Sequence, residues 1–229
     1  MTGQQAIDLI HERSWVGRKP GLERTQALLA RMGNPERTLK FVHITGTNGK
    51  GSTAAMTASV LAAAGYRTGL FTSPHLYRFH ERMQVNGEPI ADETLGRLTE
   101  QVLDLADRME DFPTEFELMT AVGMAFFAEQ KCDIVVLEVG LGGRMDSTNV
   151  IPAPEVAVLT NIGLEHTQEL GNTVALIAKE KSGILKPGCR CVLYHQSREA
   201  EEVVEGVCRE LSIPLTVTAP DTLKVQSVG

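Results

Sequence analysis

Phe41-Val-His-Ile-Thr-Gly-Thr-Asn-Gly-Lys-Gly-Ser-Thr53 is an apolar run that breaks into a glycine loop carrying one lysine and then enters an alanine-rich segment. It reads as a strand, a phosphate-binding loop and the start of a helix. The glycines let the loop Gly46, Thr47, Asn48, Gly49, Lys50, Gly51, Ser52 curl so that several N–H groups point inward. The positive end of the following helix dipole adds to Lys50 in attracting phosphate. The spacing is not the common P-loop pattern, which needs glycine at position 44 and serine or threonine at 51, where this chain has Ile44 and Gly51. Outside its context, a loop this rich in glycine is only a tight turn.

Working outward, a helix from about Ser52 to Ala64 ends at Gly65, and Thr68 to Thr72 reads as a second strand, which makes a strand-helix-strand unit. On the N-terminal side, residues 1–38 look like two helical pieces joined by Gly17-Arg-Lys-Pro-Gly21, packed as a cover through Leu22, Ala27, Leu28 and Leu29. Asn86-Gly87 between two short alternating runs signals a hairpin over Met83–Ile90, whose role is read as local. A helix spans about Asp92 to Met109, and Thr114-Glu-Phe-Glu117 looks like a capping box opening a helix to about Gln130. Asp133–Val139 and Glu155–Thr160 are buried-type strands, each followed by a polar, glycine-rich loop. A helix from about Thr173 to Ser182, a strand near Arg190–Tyr194, a helix near Arg198–Leu211 and a strand at Leu215–Thr218 complete the alternation. This is the pattern of an α/β fold with a doubly wound, mostly parallel sheet, in which ligands sit beyond the carboxyl ends of the strands.

Bulk properties narrow the function. At 229 residues the chain can bury a sizeable core, as one large α/β domain or two small ones. A net charge of −7 argues against a general nucleic-acid or membrane-surface binder, so an anionic substrate would need a local basic pocket. Cys132, Cys189, Cys191 and Cys208 show no paired CxxC spacing and read as free thiols. The N-terminus is interrupted by Asp8, His11, Glu12 and Arg13, and no apolar run is long enough to span a bilayer. The expectation is a soluble, cytoplasmic protein.

Four residues outside the glycine loop stand out. Glu138 lies in an otherwise apolar strand, where its charge needs a partner, either an arginine or a magnesium ion beside the phosphate loop. His166 follows the next strand, and alone would be a hydrogen-bonded loop residue. Ser73 precedes Pro74, which holds it extended, and its hydroxyl is free to cap or to reach a metal. Lys181 has Lys179 and Lys186 nearby, so composition reads it as part of a solvated basic face. Arg144, Asp146 and Asn149 read as turn-formers.

Together, Lys19-Pro-Gly-Leu-Glu-Arg24, His43–Ser52, Phe71-Thr-Ser-Pro-His-Leu76, Glu81–Gly87, Leu137–Arg144 with Asp146 and Thr148-Asn149, and Asn161–Gly188 resemble the folylpolyglutamate synthase and dihydrofolate synthase family. That family is a branch of the Mur-type ATP-dependent amide ligases. The resemblance covers nearly the whole chain in the family's order. It implies a Mur ligase central-domain-like fold in which Lys50 and the loop amides hold the phosphates of ATP. It implies two Mg2+ sites, with Ser73 and Glu138 on the first and His166 helping to hold the second. Lys181 aligns with a lysine that is carbamylated in the family, which would turn a cation into a carboxylate-like magnesium ligand. The implied partners are L-glutamate and folate or dihydropteroate, the pterin-bearing substrate lying near the loops containing His75–Arg82 and Thr114–Glu117. The implied reaction makes an acyl phosphate that the amine of glutamate attacks.

The chain departs mildly from the family at Met145, Ser147, Glu165, Asn172 and Ser182. Length is the serious departure, because family enzymes are far longer and carry a C-terminal ligase domain that contributes to adenine and glutamate binding. Residues 1–229 are therefore expected to be a P-loop ATPase portion without that domain: a truncated frame, a split subunit or an expressed fragment. The rival expectations are a non-catalytic ATP-binding module and, less in keeping with Glu138, His166 and Lys181, a P-loop kinase.

Overall fold

The structure is a computed structural model that describes residues 1–13 and 20–218. Gly17, Arg18 and Lys19, expected in the joint between the first two helices, lie outside the described residues.

The opening strand, β1 (Phe41–Thr45), is buried along its whole length, the polar His43 and Thr45 included, as a central strand covered on both faces must be. It is flanked by β5 (Ile134–Glu138) and β6 (Val156–Leu159), both parallel to it. With β2 (Thr68–Phe71), β3 (Met83–Val85), β4 (Glu88–Pro89), β7 (Arg190–Leu193) and β8 (Leu215–Val217), the sheet runs β4-β3-β2-β5-β1-β6-β7-β8. The expected doubly wound, mostly parallel architecture is present. The hairpin is not a local feature. Asn86 and Gly87 turn with φ of 51° and 84°, and β3 then pairs antiparallel with β2, so the hairpin extends the sheet at one edge.

Alternate residues of the central strands feed two layers. Phe41 and Leu137 pack under α1 (Gly3–Arg13), α2 (Glu23–Arg31), α4 (Asp92–Ala106) and α5 (Glu115–Glu129). Val42, Ile44 and Val136 pack on the other face against Ala54 and Ala58 of α3 (Lys50–Ala63). Ala157, Leu159 and Leu193 meet α7 (Val174–Lys181) and α8 (Arg198–Glu210) in a separate cluster. The capping box at α5 is formed: Thr114 N–H donates to Glu117 Oε2 at 2.8 Å and Glu117 N–H to Thr114 Oγ1 at 3.4 Å. Glu117 also receives Arg24, through Nε at 3.1 Å and Nη2 at 2.9 Å, so the N-terminal cover is fastened to α5 by a forked ion pair with both side chains almost buried.

This winding brings four connections to the carboxyl edge of the sheet: the glycine loop after β1, Ser73 after β2, Glu138 at the end of β5, and Asn161–His166 after β6.

Candidate nucleotide and metal site

α3 begins at Lys50 rather than at Ser52, because Gly49 takes a left-handed conformation (φ 82°) that only glycine adopts without strain and serves as the N-cap. The loop ahead of it is bound to the segment after β6. Thr47 N–H donates to Asn161 O at 2.6 Å, Gly163 N–H donates to Thr47 Oγ1 at 3.0 Å, and Thr160 Oγ1 donates to Asn48 O at 2.8 Å. Lys50 folds back, its Nζ donating to Gly46 O at 2.9 Å and Thr47 O at 3.1 Å.

On the neighbouring strand Glu138 is 4 % exposed. Burial raises its pKa, while the Ser73 N–H, at 3.0 Å from Oε2, and the charge of Lys50 pull it back. Glu138 forms no ion pair among the described residues, so the arginine partner considered from sequence is not there. A buried carboxylate without a counter-ion is costly, and Glu138 with the Ser73 hydroxyl offers the hard oxygen donors that suit Mg2+. These two residues fit the cation. Ser73 Oγ accepts from Arg82 Nη1 at 3.1 Å, a contact that nothing in the spacing foretold.

Lys181 is not on a solvated face. It is 1 % exposed, whereas Lys179 on the same helix is exposed. Its Nζ donates to Gly46 O at 2.8 Å and to Glu165 Oε1 at 2.6 Å, so the ammonium groups of Lys50 and Lys181 share one loop carbonyl. Burial lowers the pKa of Lys181, the Glu165 bond opposes that, and the nearby Lys50 charge adds to it. An ammonium cannot ligate a cation. His166 is exposed, with a left-handed backbone (φ 43°), and it caps α6 (Thr167–Leu170), a short helix absent from the sequence reading. Its neighbour Glu165, noted from sequence only as a departure, is the residue that reaches Lys181. No cluster of three His, Cys, Asp or Glu able to hold a metal alone occurs among the described residues. Phosphate, carbamate or water oxygens would have to complete either shell.

Asp146 and Asn149 are more than turn-formers. Asp146 accepts from Leu141 N–H at 2.9 Å, Thr148 N–H at 3.0 Å and the Thr148 hydroxyl at 2.5 Å, and burial raises its pKa against those bonds. Since Thr148 donates to Asp146, it accepts from His43 Nε2, 2.9 Å away. His43 therefore carries its proton on Nε2, stays neutral with its pKa lowered by burial to about 3, and leaves Nδ1 buried without a partner. Thr45 Oγ1 donates to Gly142 O at 2.6 Å, and Asn149 Nδ2 donates to Arg144 O at 3.0 Å and Gly183 O at 3.1 Å. A Cβ on Gly143 would stand 2.8 Å from the Lys181 carbonyl, so the close approach of this loop to the end of α7 requires glycine. β1, the Gly140–Asn149 loop and the Lys181 helix are thus one fastened unit.

A strand-loop-helix cradle at the carboxyl edge of a doubly wound parallel sheet defines a P-loop α/β domain. The chain belongs to the Mur ligase middle domain family, whose family model matches residues 44–192. It is 47% identical over 216 residues to the dihydrofolate synthase/folylpolyglutamate synthase of Bacillus subtilis, covering 92% of this chain and 50% of that protein. It is 40% identical over 202 residues to the dihydrofolate synthetase of Saccharomyces cerevisiae, covering 86% of this chain and 47% of that protein. Among solved structures, an FPGS-AMPPCP-folate complex superposes with a TM-score of 0.91 at 38% identity, over 95% of this chain and 54% of that one. The apo form of L. casei FPGS gives 0.90 at 38% identity, over 95% of this chain and 54% of that one. The chain spans about half the length of the curated relatives it matches.

Proposed function

We propose that this chain is the phosphate- and cation-holding part of an ATP-dependent ligase that adds L-glutamate to the carboxylate of folate or dihydropteroate through an acyl phosphate. The observation that carries the reading is the convergence of Lys50 and Lys181 on Gly46 O beside the unpaired Glu138. It is supported by relatives named as folylpolyglutamate and dihydrofolate synthases and by a similar structure described as holding AMPPCP and folate. In this reading Gly46, Thr47, Asn48, Gly49, Lys50, Gly51 and Ser52 hold the ATP phosphates. Ser73 and Glu138 hold one Mg2+, and His166 with carbamylated Lys181 holds a second. Mg2+ would offset the charge that develops on the transferred phosphoryl group. Lys50 would move from its loop carbonyls to the phosphates. Residues 1–38 act as the cover of a single P-loop unit, and the other wall of the cleft comes from a C-terminal domain in a longer chain or a partner. No described helix is long and apolar enough to cross a membrane, and the buried free cysteines suit a reducing cytoplasm.

The test is phosphate release and amide formation with ATP, Mg2+, bicarbonate, L-glutamate and either folate or dihydropteroate. Product from either acid supports the ligase. Retained nucleotide binding that Lys50→Ala abolishes, without product, supports the second reading, an ATP-binding module. A stable phosphorylated acid formed without glutamate would point instead to a kinase. Labelling with 13C-bicarbonate should give a carbamate signal that Lys181→Arg removes.

A further inference from the structure

We infer that Arg82 forms the subsite for the carboxylate that accepts the phosphoryl group. This rests on the ligase reading above.

Arg82 is a buried cation, 8 % exposed, whose described partners are all neutral. Its Nε donates to His75 Nδ1 at 2.9 Å, its Nη1 donates to Ser73 Oγ at 3.1 Å, and its guanidinium lies 5.4 Å from the centre of the Phe79 ring. The carboxylate that acts on it, Glu115, lies beyond ion-pair distance and is engaged by His11 at 3.1 Å. Nη2 has no acceptor among the described residues, yet it keeps some exposure to solvent. An arginine taken out of water without a counter-ion is expensive. The side chain is nevertheless held firmly, by an imidazole, a hydroxyl and a ring. Such a cation is set for an anion that arrives from solution, and a planar fork matches a carboxylate with two parallel hydrogen bonds.

Position decides which anion. Along the carboxyl edge the order is Ser73 with Arg82 beyond β2, Glu138 on β5, and the glycine loop with Lys50 beyond β1. β2 stands two strands from β1, roughly 10 Å across the sheet. The phosphate end of the cleft is already served by Lys50 and the loop amides. Arg82 lies on the far side of Glu138 and its cation site, where the acceptor in an in-line transfer must stand opposite the leaving oxygen. There its fork would hold one carboxylate oxygen toward the phosphorus while balancing the charge of the incoming acid. No bond to Arg82 forms or breaks: the carboxylate oxygen attacks the γ-phosphorus, ADP leaves, and Arg82 orients the acid.

The probe is pteroate, compared with its carboxamide, titrated into the full chain saturated with Mg2+ and a non-hydrolysable ATP analogue. The wild-type protein should bind the acid about 10- to 100-fold more tightly than the amide, the range expected for hydrogen bonds to a charged group. Arg82→Gln should erase that preference by weakening the acid alone, Arg82→Lys should keep part of it, and affinity for the ATP analogue should not change. Equal binding of acid and amide by the wild type overturns the assignment without any variant having to fold. Equal weakening of acid and amide in Arg82→Gln also overturns it, and so does weakening of the ATP analogue, which would place Arg82 on the phosphates. Nucleotide binding that persists without acid preference refutes the Arg82 subsite only; loss of both refutes the ligase reading with it.

Discussion

Replacing Thr148 by valine should destabilise the protein by about 3–5 kcal/mol, a large share of the 5–15 kcal/mol typical of folded domains. Thr148 is fully buried, and its hydroxyl is at once the acceptor for His43 Nε2 at 2.9 Å and a donor to Asp146 Oδ1 at 2.5 Å. Valine keeps the branched shape, so little cavity forms. What is lost is one charge-assisted bond, about 1.5–3 kcal/mol, and the only partner among the described residues of a buried imidazole N–H, about 1–3 kcal/mol. His43 has no alternative, because Nδ1 already lacks a partner. For a chain of this length the cost corresponds to about 6–20 °C in Tm. The assay is urea unfolding with the slope m held constant, comparing Thr148→Val with Thr148→Ser. Serine keeps the hydroxyl and should lose only about 1 kcal/mol. A double-mutant cycle with His43→Leu should give a coupling above about 1 kcal/mol. If valine and serine cost the same, or the coupling vanishes, the relay does not hold β1 to the glycine-rich loop.

The same imidazole makes a pH prediction. Its folded pKa, about 3, lies below the ordinary value of 6.5, so between these values the unfolded chain takes up a proton that the folded one refuses. Stability from this group is fully present above 6.5 and falls as pH drops toward 3, by up to about 1.4 kcal/mol per unit. The difference in unfolding free energy between wild type and His43→Gln, followed from pH 7 to 4.5, isolates it from the carboxylates both proteins share; a flat difference refutes it. Glu165→Ala leaves Lys181 buried with only Gly46 O as described acceptor and should cost about 3–5 kcal/mol, while Glu165→Ala with Lys181→Met should recover most of it. Equal stability of single and double variants in urea would show the pair is not coupled. All four cysteines are buried, so none should react with a thiol reagent faster than the protein unfolds; rapid modification of any one would contradict the packing.

The sheet was legible because its information is local. A short, largely apolar run such as Phe41–Thr45 that stops at a glycine loop reads as a buried strand, and Asn86-Gly87 and Thr114–Glu117 carry their turn and cap chemistry within four residues. The hairpin's place at the sheet edge was not legible, since pairing of β3 with β2 depends on where two separate segments meet. The site divides in the same way. Lys50 was visible because the loop that positions it is contiguous with it. Lys181 was invisible as a buried group, because its surroundings come from Gly46 and Glu165, and composition shows only the lysines beside it.

Arg82 shows why resemblance and geometry answer different questions. Sequence placed it in a loop expected near the substrate without giving it a task of its own, since an arginine between Glu81 and Met83 is ordinary. Folding puts Ser73, His75 and Phe79 around its guanidinium and leaves the charge without a carboxylate, while Glu138, on the next strand, is a buried carboxylate without a cation. Neighbouring unpaired charges of opposite sign would ordinarily collapse into a salt bridge, which is the cheapest way to remove both penalties. Here the Ser73 N–H binds Glu138, and the Ser73 hydroxyl binds Arg82, so one serine separates them. Holding the two charges apart makes sense for a site that must receive a cation at one and an anion at the other. Ser73→Ala should therefore weaken Mg2+ binding and the preference for acid over amide together, whereas a serine that serves only as a metal ligand would affect the first alone.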